Sequence, residues 1–161
     1  MDTSTAFTAF LAGRVACVVG GTSGIGAAIA RALKAAGAHV TVSGASLAEA
    51  QAAAADSTMR GMVPVALDVA DAQAVKRIIG SFAQLDVLVN CAGMIRRGEE
   101  HDPEVFARVV DVNLNGMMRC CAAARPLLAQ SGGCIINIAS MLSFFGGGLV
   151  PAYSASKGGV A

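Results

Sequence analysis

The sequence has 161 residues, 55% hydrophobic and only 14% charged, which suits one domain with a sizeable apolar interior. Lys+Arg 12 against Asp+Glu 11, scattered rather than striped, leave no basic field for phosphate backbones, so nucleic acid is not an expected partner. No charge lies between Arg14 and Arg31 or between Arg125 and Lys157, yet glycines interrupt both stretches and Pro151 the second, so neither reads as a membrane-spanning helix.

The first residues, MDTSTAF, lack the basic start and compact apolar run of a secretory signal, which predicts a cytoplasmic protein. RVACVVG (14 to 20) is a β-branched run ending in glycine, and IGAAIARALKAAG (25 to 37) carries apolar residues at helical spacing up to Gly37. HVTVSG (39 to 44) is a second strand, and SLAEAQAAAADS (46 to 57) an alanine-rich helix that Ser46 can cap. MVPVALDV then DAQAVKRIIGSF repeat the pair, with Asp71 as the cap, and DVLVNCAG (86 to 93) is the fourth strand. A long helical stretch runs from about Pro103 through Gln130, weakest near Gly116, before a fifth strand in GCIINIAS (133 to 140). Continuous apolar strands alternating with amphipathic helices predict an α/β domain: a doubly wound, Rossmann-type parallel sheet buried on both faces.

Five cysteines stand at 17, 91, 120, 121 and 134 without C-x-x-C spacing or nearby histidines. They read as reduced, buried thiols; neither they nor His39 and His101 suggest a metal site.

Between the first strand and first helix stands VGGTSGIG, residues 19 to 26. Its glycines let the backbone turn tightly beside an anion, and the free N–H groups at the helix start offer partial positive charge, as a pyrophosphate requires. The spacing is Gly-x-x-x-Gly-x-Gly, not the common G-x-G-x-x-G. Further on, YSASK places Tyr153 and Lys157 four apart, on one helical face. A phenol ordinarily titrates near pH 10 and shuttles protons poorly at neutrality, and an adjacent ammonium favours its ionised form. Ser140 ends the fifth strand, on the edge of the sheet where ligands of open α/β folds bind, so its hydroxyl can hold a substrate carbonyl that Tyr153 protonates.

With these features together, the sequence resembles the classical short-chain dehydrogenase/reductase family from about Leu11 onward. GGTSGIG is similar to the family's glycine motif, NCAG (90 to 93) to its Asn-Asn-Ala-Gly element, and DVNLNG, INIAS and YSASK supply Asn113, Ser140, Tyr153 and Lys157. The resemblance implies reversible hydride transfer between NAD or NADP and a carbonyl or secondary alcohol. Tyr153 would be the general acid/base, and Ser140, with Tyr153, would touch the substrate. Lys157 would bind the nicotinamide ribose and favour the phenolate, and Asn113 would hold a relay water. Cofactor contacts would come from Gly20, Ser23, Gly24, Ile25 and Gly26, from Asp68 and Val69, from Asn90, Ala92 and Gly93, and from Tyr153 and Lys157.

Val19 replaces a usual threonine and Cys91 a usual asparagine, so hydrogen bonds bracing the turn are expected to be missing. Gly44 and Ala45, where relatives often carry Asp for NAD or Arg for NADP, leave the cofactor open. GMIRRGEE and the stretch through YSASKGGV resemble the family's sugar-acid dehydrogenases, in which case Arg96 or Arg97 would meet a substrate carboxylate; solvated loop arginines are the plain alternative. The 3-oxoacyl carrier-protein reductases share nearly the same motifs. The resemblance also implies further strands, a substrate lid and a homo-oligomer in the full-length form, so the 161 residues are expected to be one domain incomplete at its C-terminal end. A truncated, non-catalytic nucleotide-binding module is one alternative, and an extended-branch epimerase or dehydratase another.

Overall fold

A computed structural model describes residues 10–161. The amino-terminal signal reading falls on positions 1 to 7 and lies outside them. Five strands, β1 (Val15–Val19), β2 (His39–Gly44), β3 (Val63–Ala66), β4 (Val87–Asn90) and β5 (Cys134–Asn137), form one parallel sheet in the order β3-β2-β1-β4-β5. The strand order reverses beside β1, and in such sheets ligands bind outside the carboxyl ends of the strands at that switch.

Helices α1 (Gly24–Ala35), α2 (Leu47–Ala55), α3 (Ala72–Gly80), α4 (Pro103–Val110), α5 (Met117–Ser131) and α6 (Pro151–Val160) connect or follow the strands. Side chains alternate across each strand. Ala16, Val18, Val40 and Val42 pack with Ala27 and Ala30 of α1 on one face. Cys17, Val19 and Leu88 pack with Val75 and Ile79 of α3 and with Cys120, Ala124 and Leu128 of α5 on the other. Each such aliphatic side chain withdrawn from water contributes roughly 1.5–3 kcal/mol, so the sheet anchors the fold from both sides.

The caps read from sequence are present. Ser46 Oγ accepts from Glu49 N at the start of α2, and Asp71 accepts from Gln73 N and Ala74 N at the start of α3. The second helix ends two residues early, because Asp56 caps a separate short turn, Ser57–Met59. The long helical stretch is continuous, but its middle, Asp111–Gly116, is wound as a π-helix.

One expectation about the cysteines needs correcting. Cys17 and Cys120 are buried, and burial pushes both thiols up to about 12, with the neighbouring cysteine adding to it. Cys91 and Cys121 are half-buried, and Cys134 is exposed. Its strand β5 stands at the edge of the sheet, where Ile135 and Ile136 are exposed as well, so an apolar strand pattern did not guarantee cover.

Candidate active site

The glycine turn leaves the end of β1 and enters α1 as the sequence implies. Gly20 has φ +76°, and a Cβ there would lie 2.5 Å from Ala92 N, so the turn presses against the loop after β4. A Cβ at Gly26 would collide with the carbonyl oxygen of Gly20. The turn is braced without a side chain from position 19 or 91: Gly20 N–H donates to Ser43 Oγ at 3.2 Å, Gly21 N–H to Ser43 O at 2.9 Å, and Cys91 N–H to Val19 O at 2.9 Å. The N-cap Ser23 makes no side-chain cap bond, so its hydroxyl does not take up the first N–H groups of α1. A turn with no room for a Cβ at Gly20, Gly21 or Gly26, leading into a helix start that no N-cap side chain covers, fits a dinucleotide pyrophosphate.

A cleft of about 610 Å³ opens above the turn. Gly20, Ser23, Gly24, Ile25, Gly26, Asp68, Val69, Ala92, Gly93, Tyr153 and Lys157, all expected from sequence, line it. Pro151 starts α6 with a preset φ, and the helix then places Tyr153 and Lys157 one turn apart on this wall. Lys157 Nζ lies 5.8 Å from the Tyr153 ring centroid and donates to Ile138 O at 2.5 Å. Only 5% of Lys157 is exposed. Burial holds its ammonium below the usual 10.5, partly offset by the neighbouring Cys91.

Asn90, Asn113 and Ser140 are close by but do not line the cleft. Asn90 Nδ2 donates to Asn137 Oδ1 at 2.9 Å and to Cys121 Sγ at 3.3 Å, and its buried Oδ1 has no partner among the described residues. Asn113 sits in the π-helical turn, buried, where Oδ1 accepts Met94 N–H at 2.7 Å while Nδ2 donates to Met94 O at 2.9 Å and to Ser156 Oγ at 3.1 Å. Both amide hydrogens are therefore committed, and one lone pair of Oδ1 is left for a water. Ser140 comes three residues after β5 and caps the short turn Met141–Ser143; its Oγ accepts Leu142 N–H at 3.2 Å, which leaves its hydroxyl hydrogen free to donate. Ser143 ties that turn to α6 by donating to Lys157 O at 2.6 Å.

A family model described as short chain dehydrogenase matches residues 14–161. The chain belongs to this family. Among relatives of this chain, the 2-dehydro-3-deoxy-D-gluconate 5-dehydrogenase of Bacillus subtilis (strain 168) is 42% identical over 94% of the chain and 62% of the relative. The 2-dehydro-3-deoxy-L-rhamnonate dehydrogenase (NAD(+)) of Sphingomonas sp. (strain SKA58) is 37% identical over 96% and 64%. A crystal structure assigned to an NAD(P) dependent gluconate 5-dehydrogenase from Beutenbergia cavernae, with NADP bound at low occupancy, superposes with a TM-score of 0.82 at 37% identity, covering 93% of this chain and 63% of that one. The chain thus spans under two thirds of the length of these relatives.

Several residues of the site gave no sequence signal. Glu100 is fully buried, and its two carboxylate oxygens accept Arg96 N–H at 2.8 Å and Tyr153 N–H at 2.7 Å. Since Val150 offers α6 no side-chain cap, Glu100 supplies one from a distant loop. In sequence it is one acid in a charged run, indistinguishable from a solvated one. Ser43 was equally hidden, whereas Glu49 stood legibly in a Ser-x-x-Glu pattern and also lines the cleft. Arg96 and Arg97 are exposed on the loop following Met94 and Ile95, both of which line the cleft. Among the described residues no three His, Cys, Asp or Glu converge as a metal site, and no helix is long and apolar enough to cross a membrane.

Proposed function

We propose that this protein transfers a hydride reversibly between NAD or NADP and a small carbonyl compound or secondary alcohol, with sugar acids as the substrate class. The observation that carries the reading is that Tyr153 and Lys157 line the same cleft as the glycine turn. The relatives named for sugar-acid dehydrogenation support the substrate class.

A nicotinamide held in this cleft would supply or accept the hydride. Tyr153 gives its phenolic proton to the substrate oxygen during reduction and takes it back during oxidation. Lys157, one N–H spent on Ile138 O, has others left that would grip a ribose hydroxyl of the cofactor beside Tyr153. Ser140 orients the reacting oxygen with its free hydroxyl hydrogen. Asn113 accepts a relay water at the remaining lone pair of Oδ1 while fixing Met94 and Ser156. Asp68 and Val69 would hold the adenine and Ala92 and Gly93 the sugar-phosphate part of the cofactor, while Asn90 braces β4 against Asn137. Arg96 or Arg97 pairs with a substrate carboxylate. The free thiols fit a reducing compartment such as the cytoplasm, and the full-length form is expected to be a homo-oligomer, measurable by light scattering.

Tyr153→Phe tests the assignment. Turnover should fall about a thousandfold while NADH affinity changes by less than about threefold. Undiminished turnover in that variant would remove the general acid from the scheme.

A further inference from the structure

At the β2 end of the cleft, a carboxylate stands where the strand has no room for a side chain of its own. Gly44 closes β2, and a Cβ there would lie 2.6 Å from Glu49 Cβ, 2.9 Å from Glu49 Oε2 and 3.0 Å from Thr22 Oγ1. Glu49 belongs to the first turn of α2 and is held in place. Ala45 N–H donates to its Oε2 at 2.9 Å, the Ser46 hydroxyl lies 3.5 Å from Oε1, and its own N–H donates to Ser46 Oγ at 3.2 Å. Thr22, Ala45 and Glu49 all line the cleft.

The cationic residues lining the cleft are Arg108 and Lys157, and both are engaged elsewhere. Arg108 Nη2 faces Asp68 Oδ2 at 3.4 Å, and Lys157 donates to Ile138 O beside Tyr153. The corner around Glu49 is therefore acidic without a lining counter-charge.

We propose that Glu49 makes this cleft select NAD(H) over NADP(H), its carboxylate accepting the hydroxyls of the adenosine ribose. The inference rests on the dinucleotide reading of the cleft given above. With the pyrophosphate at the glycine turn, the adenosine half reaches the end of β2, where an acid is suited to a ribose diol. A diol offers donors to a group that only accepts, whereas a 2′-phosphate brings about −1.5 to −2 charges and further acceptors. Each oxygen of Glu49 keeps lone pairs after its bonds to residues 45 and 46. A purely helix-capping Glu49 would be indifferent to the 2′-phosphate.

The test titrates the purified full chain with NADH and NADPH, following the fluorescence of the nicotinamide, which no tryptophan obscures. NADH should bind at least about tenfold tighter than NADPH. Glu49→Gln retains an oxygen for Ala45 N–H and should narrow that ratio to about twofold or less, mainly through stronger NADPH binding. Adding Ala45→Arg, at an exposed position, to Glu49→Gln should reverse the preference. Thermal shifts with each nucleotide should give the same order. Equal affinities or an NADPH preference in the parent chain, or an unchanged ratio in Glu49→Gln, overturn the role of Glu49 alone. Failure to bind either nucleotide overturns the dinucleotide reading and this inference with it.

Discussion

Glu100 is a fully buried acid whose two oxygens hold the backbone of Arg96 and of Tyr153, so one side chain joins the loop after β4 to the helix carrying the phenol. Burying a carboxylate is costly, and here two backbone donors and the partial positive charge at the start of α6 offset that cost. Glu100→Ala leaves two N–H groups without acceptors and should destabilise the protein by about 3 kcal/mol. Glu100→Gln keeps a carbonyl for one N–H but turns an amide donor toward the other, so its loss should be smaller yet measurable. Urea unfolding orders the two variants, and equal stability of Glu100→Ala and the parent would show that α6 needs no such cap.

At the scale of elements, the helical stretch from Pro103 to Ser131 shows how packing overrides propensity. Gly116 is a poor helix residue, and in an exposed helix Gly→Ala would stabilise by about 1 kcal/mol. Here a Cβ would lie 2.5 Å from Val69 Cγ2, so the helix approaches the loop after β3 only because position 116 has no side chain. Gly116→Ala should therefore destabilise, by about 1–3 kcal/mol, the opposite sign from propensity. Because Val69 lines the cleft, the same variant should also weaken nucleotide binding, which a titration beside the unfolding curve reads directly. The π-helical turn that ends at Gly116 turns Asn113 inward to Met94 and Ser156, and local windings of this kind recur at functional positions.

Across the whole molecule, the ends of the sheet do different work. At the carboxyl ends lies the cleft; at the opposite end Asp86 clamps the start of β1. Burial alone would raise the Asp86 carboxyl, but the Val15 N–H, Arg14 and Gln84 together outweigh it and hold it below its ordinary 3.8. A carboxyl held low in the folded state stabilises fully above its unfolded pKa and loses that contribution as pH falls through the folded one. Stability should therefore drop on acidification below pH 3.8, and Asp86→Ala should flatten that limb. At neutral pH the same substitution should lower the thermal midpoint by roughly 5 °C, since Val15 N–H loses its acceptor. An acid limb identical in the variant and the parent would assign the transition to other carboxyls.

The local order of strands and helices, the two side-chain caps, the glycine turn and the Tyr153-Lys157 pairing were all legible along the chain, because each depends on periodicity or spacing within a few residues. What depends on residues far apart was not. Glu100 meets Tyr153 across 53 positions, Ser43 meets Gly20 across 23, and Asn90 turns to Asn137 rather than into the cleft. Likewise only the arrangement of the sheet makes β5 an edge and exposes Cys134. Short-range preferences select the elements, whereas the partners of a buried polar group are set by which loops the completed sheet brings into contact.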